Sequence, residues 1–256
     1  MVLTKNLILV CSGRDTAKAV QSGLPVLHLC LGVTETGALR RLQLSTVPTR
    51  CLLGLRDLPD SLPDLGADRL AADLLYEAQR TSAPGVFADF ERDTPQARAV
   101  LHALDRVFEQ AGIPLYVPLS CQRAVSHAVL TVETAISGGS LTAYFSSLQG
   151  IHGARRVAAF LQPVSRDFTL PSNSPDGKPL AEDARNALLQ RTGSQVFFSR
   201  ELCAKYFTYT DESGNAHFVL FDDRSTIEAK LAQLSGCGVH TVFALYPDAE
   251  ALLNQP

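Results

Sequence analysis

Two carboxylates stand two positions apart at the end of an apolar run, in GVFADFERD from Gly85 to Asp93. The run before them reads as a β-strand. Side chains alternate along a strand, so Phe87, Asp89 and Glu91 share one face and Val86, Ala88 and Phe90 the other. The second set is wholly apolar and belongs against packed helices. The first set then points the opposite way, with Glu91 nearest the C-terminal end. Two acids this close in a partly dry mouth do not ionise independently, and their repulsion raises at least one pKa. The group that keeps its proton near neutral pH serves as a general acid. Glu91 takes that role in this reading, and Asp89, one layer deeper, positions a substrate group. The plain alternative is a solvated strand end leading through ERDTP into a helix cap.

Other residues carry weaker chemical signals. Cys121, Gln122 and Arg123 follow the strand-like IPLYVPLS, and Gln122 and Arg123 are candidates to contact a substrate. A Cys121 thiolate nucleophile is the third functional class considered, although no histidine stands at a telling spacing. Tyr116, deeper in that strand, reads as core. Ser12, Arg14, Thr34, Glu35 and Arg56 also follow strands and are expected to line the same mouth. Asp222 and Asp223 end a strand before a helix, where a structural role is expected. The six histidines show no metal-ligand spacing, so neither a metal nor another cofactor is expected.

Positioning such a strand end requires a scaffold, and the chain alternates short β-rich runs with helical patterns. NLILVCS, PVLHLCLG, TRCLLGLRD, GVFADFE and IPLYVPLS read as strands one to five. DTAKAVQSG, TGALRRLQL and DRLAADLLYEAQRT read as helices. So does TPQARAVLHALDRVFEQAG, with Thr94 as N-cap, Pro95 in the first turn and Gly112 after its end. RAVSHAVLTVETAISGG is expected to be a helix and LTAYFSS the sixth strand, with a seventh inside GARRVAAFLQPV. The rhythm breaks between about 165 and 220. There a polar loop, LPSNSPDGKP, and a helix, LAEDARNALLQRTG, precede an antiparallel pair, KYFTYT and HFVLFDD. STIEAKLAQLSGCG, with Ser225 and Glu228 as a capping box, and the strand VHTVFALYP close the chain. Eight strand-like runs in 256 residues point to an α/β fold. The expected fold is a single (β/α)8 barrel over 1–256 with a small α+β insertion at about 165–220, after strand seven. An open doubly wound sheet is the alternative, but CSGRD after the first strand lacks the glycine-rich phosphate turn.

Composition narrows the partners. The net charge is −3 with no basic stripe interleaved with aromatics, so nucleic acid is not an expected partner. No apolar run approaches the ~20 residues needed to span a bilayer, so no membrane partner is expected. MVLTKNLILVCSGRD lacks the long apolar core and cleavage site of a signal peptide. The six cysteines form no CxxC pair and lie in or beside apolar runs, which suits reduced buried thiols in a reducing compartment. Oligomeric state is not readable from these features.

GVFADFE and its surroundings resemble glycoside hydrolase family 18, the chitinase and N-acetylglucosaminidase barrels. That family carries a DxxDxDxE-type signature on its fourth strand. Here Pro84 to Glu91 spans it, with Asp89 and Glu91 at the final D-x-E, Pro84 at the first acidic position and Phe87 at the middle one. The segment from Lys205 to Asp248 is similar to the family's inserted hairpin, last helix and eighth strand. The resemblance covers roughly Asp68 to Pro247. It implies that Glu91 protonates the leaving glycosidic oxygen while the substrate's own 2-acetamido oxygen attacks the anomeric carbon. It implies that Asp89 orients that acetamide and that Tyr144, in LTAYFSS, matches the tyrosine of a sixth-strand M-x-Y-D motif, whose Asp is Phe145 and whose Met is Thr142 here. The family's eighth-strand Trp is absent, as is any Trp, and Phe243, Leu245 or Tyr246 stand nearby, Tyr246 being taken as a sugar platform beside Phe87. The implied partner is a GlcNAc-containing carbohydrate, peptidoglycan or chitin-like, and the implied setting is cytoplasmic or spore-associated. Glu91 and Tyr144 are then expected to converge on one open pocket. A catalytically silent barrel that binds glycan or a protein partner is the second functional class.

Overall fold

The computed structural model describes residues 6–42, 50–56, 66–171 and 176–253, without the side chains of Arg14 and residues 251–253. Arg14 as a mouth residue, the ends of TRCLLGLRD and the middle of LPSNSPDGKP therefore lie outside the described residues. Along the chain the elements are β1 (Leu7–Cys11), α1 (Thr16–Gln21), β2 (Val26–Val33), β3 (Leu39–Arg41), β4 (Leu52–Arg56), α2 (Ala67–Arg80) and β5 (Val86–Asp89). Then come α3 (Pro95–Ala111), β6 (Leu115–Pro118), β7 (Val129–Glu133), α4 (Leu141–His152), β8 (Val157–Leu161), β9 (Ser165–Leu170) and β10 (Lys178–Pro179). The last are α5 (Glu182–Thr192), β11 (Phe197–Ser199), β12 (Ala204–Thr210), β13 (Ala216–Phe221), α6 (Arg224–Gly236), β14 (Val242–Leu245) and α7 (Tyr246–Leu253).

Eight parallel strands close on themselves in the order β1, β2, β4, β5, β6, β7, β8 and β14, and β14 pairs back with β1. This closure is the (β/α)8 barrel and excludes the open doubly wound sheet. In barrel order β5 is the fourth strand, β7 the sixth and β14 the eighth.

The alternation read in β5 is realised in space. Val86, Ala88 and Phe90 pack outward against Leu70 and Leu74 of α2 and Leu104 and Phe108 of α3. Phe87 points into the barrel with Val10, Leu27, Leu52, Ala158 and Phe243, and Tyr116, Val129 and Phe160 complete that interior. Each such large apolar side chain contributes about 1.5–3 kcal/mol by leaving water. Gly54 of β4 sits where Leu29 of β2 fills the interior. A Cβ at Gly54 would lie 2.9 Å from the Leu29 Cα and 3.2 Å from the His28 carbonyl oxygen, so no larger residue fits.

Helix α3 starts and stops as its sequence indicates. The Thr94 hydroxyl accepts from the Ala97 N–H at 3.1 Å, Pro95 opens the helix, and Gly112 leaves it at φ 67°. Three other expectations are corrected. TGALRRLQL is not a helix: Leu39–Arg41 pairs antiparallel with Leu31–Val33, because the second strand runs on and folds back as a hairpin. RAVSHAVLTVETAISGG is not a helix either. A 3-10 turn over Leu119–Ala124 leads into β7, which pairs with β6 and β8. LTAYFSS is therefore not the sixth strand but the start of α4. Its N-cap Ser140 accepts from Ala143 N–H at 3.3 Å, and Leu141, Phe145 and Leu148 fall at helical spacing into one outer cluster. At the start of α6 the capping box is Asp223 with Thr226 rather than Ser225 with Glu228. The Asp223 carboxylate accepts from Thr226 N–H at 3.1 Å and the Thr226 hydroxyl accepts from Asp223 N–H at 2.9 Å.

Between β8 and α6 the chain builds a second sheet, in the antiparallel order β10-β9-β13-β12-β11. One face packs on α5 through Phe207, Val219, Phe221 and Leu188, with the Arg185 guanidinium 4.4 Å over the Phe221 ring. The other face packs through Phe168, Leu202, Ala204 and Leu220 on Ala135 and Ile136, which follow the sixth strand. A buried ion pair fixes this sheet to the barrel. Lys230 Nζ lies 2.5 Å from Asp222, which also accepts from Val164 N–H and the Thr226 hydroxyl, both at 2.7 Å.

Candidate active site

The C-terminal ends of the eight strands form the mouth, where barrels of this kind place their chemistry. β5 delivers Asp89, half-buried, with Arg56 of β4 opposite it in register. Glu91 follows two residues beyond the strand and is exposed. Phe90 between them is fully buried on the helix side, and the Cys121 thiol donates to its carbonyl at 3.5 Å. That contact ties the turn after β6 to the end of β5. Cys121 is itself buried, so it offers no exposed nucleophile.

The sixth strand is VLTVE. Leu130 and Val132 pack outward while Thr131 and Glu133 share the inward parity, and Glu133 emerges exposed at the mouth. The sixth strand thus carries an acid, Glu133, at its mouth end, next to Val132, which is 1% exposed. Tyr144 lies on α4 rather than on the sixth strand, and is 38% exposed. Burial and then the nearby negative charge of Glu133 push its phenol above the usual range, so the two groups remain electrostatic neighbours.

A cleft of about 370 Å³ opens between the mouth and the inserted sheet. Glu133, Ile136, Gln162, Arg166, Phe168 and Asp176 are among its lining residues. Neither Glu91 nor Tyr144 is among its lining residues; the acids that face this cleft are Glu133 and Asp176. The buried Thr134 hydroxyl accepts from the N–H of Gln162, one of the lining residues, at 3.1 Å.

The remaining sequence candidates separate. Gln122 and Arg123 lie exposed on the 3-10 turn that follows β6. Phe87 is 2% exposed and makes edge-to-face contacts with Phe243 at 5.3 Å and Phe160 at 6.4 Å, so it is barrel core rather than a sugar-contacting surface. Tyr246 is 6% exposed among the outer helices, its hydroxyl 3.4 Å from Glu250, and is not the platform expected of it. The parity of Phe243 puts Leu245 at the mouth instead, 42% exposed. Asp223 caps α6 and bonds Lys205 at 2.5 Å, and Asp222 is buried, so both acids are structural as expected. Among the described residues no group of three or more His, Cys, Asp and Glu is placed to hold a metal ion. Sequence reasoning missed Glu133, Gln162 and Arg166, and named Leu245 only as an alternative to Tyr246. The alternation in VLTVE was the available signal for the first.

No protein-family model matches the chain, and no curated protein does. Solved structures do match. The spore cortex-lytic enzyme SleL of Bacillus megaterium is 16% identical with TM-score 0.62, over 94% of this chain and 70% of that one. SleL of Bacillus cereus is 15% identical with TM-score 0.60, over 93% and 70%. A chitinase from Chromobacterium violaceum is 14% identical with TM-score 0.62, over 98% and 99%. At these identities the likeness establishes the shared barrel fold.

Proposed function

We propose that the chain is a glycoside hydrolase of the family-18 type acting on a GlcNAc-containing glycan. The observation that carries this reading is the D-x-E pair at the mouth end of the fourth strand of a closed barrel, with Asp89 on the inward face. Glu91 donates its proton to the leaving glycosidic oxygen as the substrate's 2-acetamido oxygen attacks the anomeric carbon. Water then opens the cyclic intermediate from the same face, with the Glu91 carboxylate as base, so configuration is retained. Asp89 orients the acetamide. Glu133 supplies the sixth-strand acid that LTAYFSS does not, and Tyr144 reaches toward it from α4. Gln122 and Arg123 extend the binding surface past the fifth strand. A glycan laid across the mouth excludes water from the exposed Glu91. Peptidoglycan, including spore cortex, is favoured over chitin, supported by the fold shared with two SleL enzymes and by the late segment's likeness to bacterial cell-wall members. Six free cysteines suit a cytoplasmic or spore-associated setting.

A silent barrel that binds glycan without cleaving it is the second reading. It is favoured by Phe87 filling the interior where the signature has an acid, by Tyr144 lying on α4 rather than on the sixth strand and by Leu245 where a Trp stands in the family. Glu91→Gln separates the two. Hydrolysis of a chromogenic GlcNAc oligomer or of muropeptides that disappears in Glu91→Gln supports the enzyme. A wild type that binds these glycans and cleaves none supports the silent barrel.

A further inference from the structure

Below the mouth the barrel interior is apolar, filled by Val10, Leu27, Leu52, Phe87 and Phe243 among others. Charge appears on the inward face only where the strands end. Among the described residues the inward positions of the eight barrel strands carry three charged side chains, Arg56, Asp89 and Glu133. Asp89 and Glu133 have places in the proposed reaction. Arg56 has none, and it is the only cation of the three.

Arg56 closes β4, the third strand of the barrel. Leu53 and Leu55 pack outward against the helices and Leu52 packs inward, so alternation puts Arg56 on the inward face at the top of the barrel. Its partner in register on β5 is Asp89, and adjacent strands stand about 4.8 Å apart. A guanidinium and a carboxylate therefore leave neighbouring strand ends on the same side. Arg56 is exposed, and among the described residues no carboxylate or carbonyl holds its guanidinium. Arginines elsewhere on the barrel are engaged by acids: Arg41 and Arg80 share Glu77, and Arg106 bonds Asp68. A guanidinium carries its N–H donors in a planar fork, which can face Asp89 with one edge and a second anion with the other. Of the inward positions, this is the one that favours a negative group on a substrate.

We infer that Arg56 is a specificity-determining residue of this site, binding a carboxylate carried on the ring carbon next to the acetamido carbon of the reacting sugar. The inference rests on the glycosidase reading and deepens it by naming the substrate class: a 2-acetamido sugar with a carboxylate-bearing group on its 3-oxygen. With Asp89 on the 2-acetamido group, the substituent on C3 lies one position along the ring. Arg56 lies one strand along the sheet from Asp89, so the two spacings correspond. The carboxylate comes from a lactyl ether on the 3-oxygen or from the end of a short peptide joined to that ether by an amide. Both present the same group to the guanidinium. A neutral GlcNAc polymer gives Arg56 no partner, so the site discriminates by a charge that one substrate satisfies and the other does not. The acid-bearing sugar occupies the reacting position, and cleavage leaves it as the new reducing end.

The binding test uses Glu91→Gln as the non-cleaving background and calorimetry. The probes are one GlcNAc–MurNAc tetrasaccharide in three forms: the free lactyl acid, its neutral methylamide and its alanyl amide with a free carboxyl end. The better acid is expected to bind about tenfold tighter than the methylamide, the scale of one charge-assisted pair at a partly exposed site. Whichever acid binds tighter identifies the source of the carboxylate, ether or peptide. Arg56→Met is expected to abolish the preference for acid over methylamide. Arg56→Lys is expected to keep part of it, which a folding defect would not allow. A preference that survives in Arg56→Met overturns the inference. So does equal weakening of acid and methylamide, which makes Arg56 a partner of Asp89 alone, and so does a wild-type chain that binds none of the acids. Cleavage is scored separately in the otherwise wild-type protein on an alternating GlcNAc–MurNAc glycan, by borohydride reduction and mass spectrometry of the products. The acid-bearing sugar is expected at the reduced end, and GlcNAc there overturns its placement at the reacting position. Glu91-dependent hydrolysis with a preference indifferent to Arg56 keeps the enzyme reading and removes the Arg56 site. An Arg56-dependent preference without hydrolysis does the reverse.

Discussion

Replacing Lys230 by Met tests what holds the inserted sheet beside the mouth. Lys230 and Asp222 are each 1% exposed and 2.5 Å apart, so water cannot compensate either charge. Asp222 joins three pieces of chain. Its carboxylate takes the Val164 N–H and the Thr226 hydroxyl, and its own N–H donates to the Val164 carbonyl at 2.7 Å. Removing one partner of a buried pair costs roughly 3–5 kcal/mol, because the other charge is left in low dielectric. Two neutral donors remain on Asp222, and Met fills most of the lysine stem, which places the expected loss near the lower end, about 3 kcal/mol. For a chain of this size each kcal/mol shifts the melting temperature by about 2–4 °C, so Lys230→Met should melt about 6–12 °C lower. The readout is thermal unfolding by circular dichroism at neutral pH, completed as a double-mutant cycle with Asp222→Asn. Neutralising Asp222 in the Lys230→Met background removes the stranded charge, so the double variant should be no less stable than Lys230→Met, with a coupling of at least ~1 kcal/mol. A fall of under about 2 °C for Lys230→Met, or strictly additive losses, would refute the view that this pair anchors the insertion.

Glu133→Gln should abolish most glycan hydrolysis while leaving the melting temperature within about 2 °C, since the side chain is exposed; an active variant removes Glu133 from the site. Asp105, 4% exposed, accepts from the N–H groups of Ser126, His127 and Ala128 at 2.6–3.2 Å and pins the turn that feeds the sixth strand. Asp105→Ala strands those donors and should cost about 2–4 kcal/mol in urea unfolding, with Asp105→Asn losing less. On the inserted sheet His217 lies between Asp167 at 2.9 Å and Asp211 at 3.3 Å, stacked on Tyr209. Burial lowers its pKa, but hydrogen bonds to the two acids more than reverse this, so the folded value is raised. Its stabilisation is therefore complete below the ordinary histidine value and fades as pH rises through the higher folded value. Melting temperatures of wild type and His217→Gln should converge across that window, and a gap that widens with pH contradicts it.

Helices α2 and α3 were legible because their signals are local. Apolar residues recur at helical spacing, and Thr94, Pro95 and Gly112 mark the ends of α3 within a turn. The direction of Asp89 was legible because a strand has only two faces and Val86, Ala88 and Phe90 claim one of them. The hairpin of β12 and β13 was equally readable from two β-rich runs across a turn. Failures came where pairing partners are distant. VLTVE is five residues long and follows helix-forming residues, and it becomes a strand because β6 and β8 offer ladders on both sides. Leu39–Arg41 is a strand only because Leu31–Val33 runs beside it. LTAYFSS is rich in aromatic and β-branched residues, yet Ser140 caps it and its apolar residues pack as a helix.

By itself the sequence determined that the chain forms an α/β barrel with an inserted α+β unit and that Asp89 leaves the fourth strand on the inward face. Those properties follow from periodicity, which is written in adjacent residues. Only the tertiary structure decided which side chains share the mouth. Closure of the sheet turned Phe87 into core, put Leu245 rather than Tyr246 at the opening and brought Glu133 to the cleft. Facing across a barrel depends on strand order and register over the whole circle, and no local pattern encodes either.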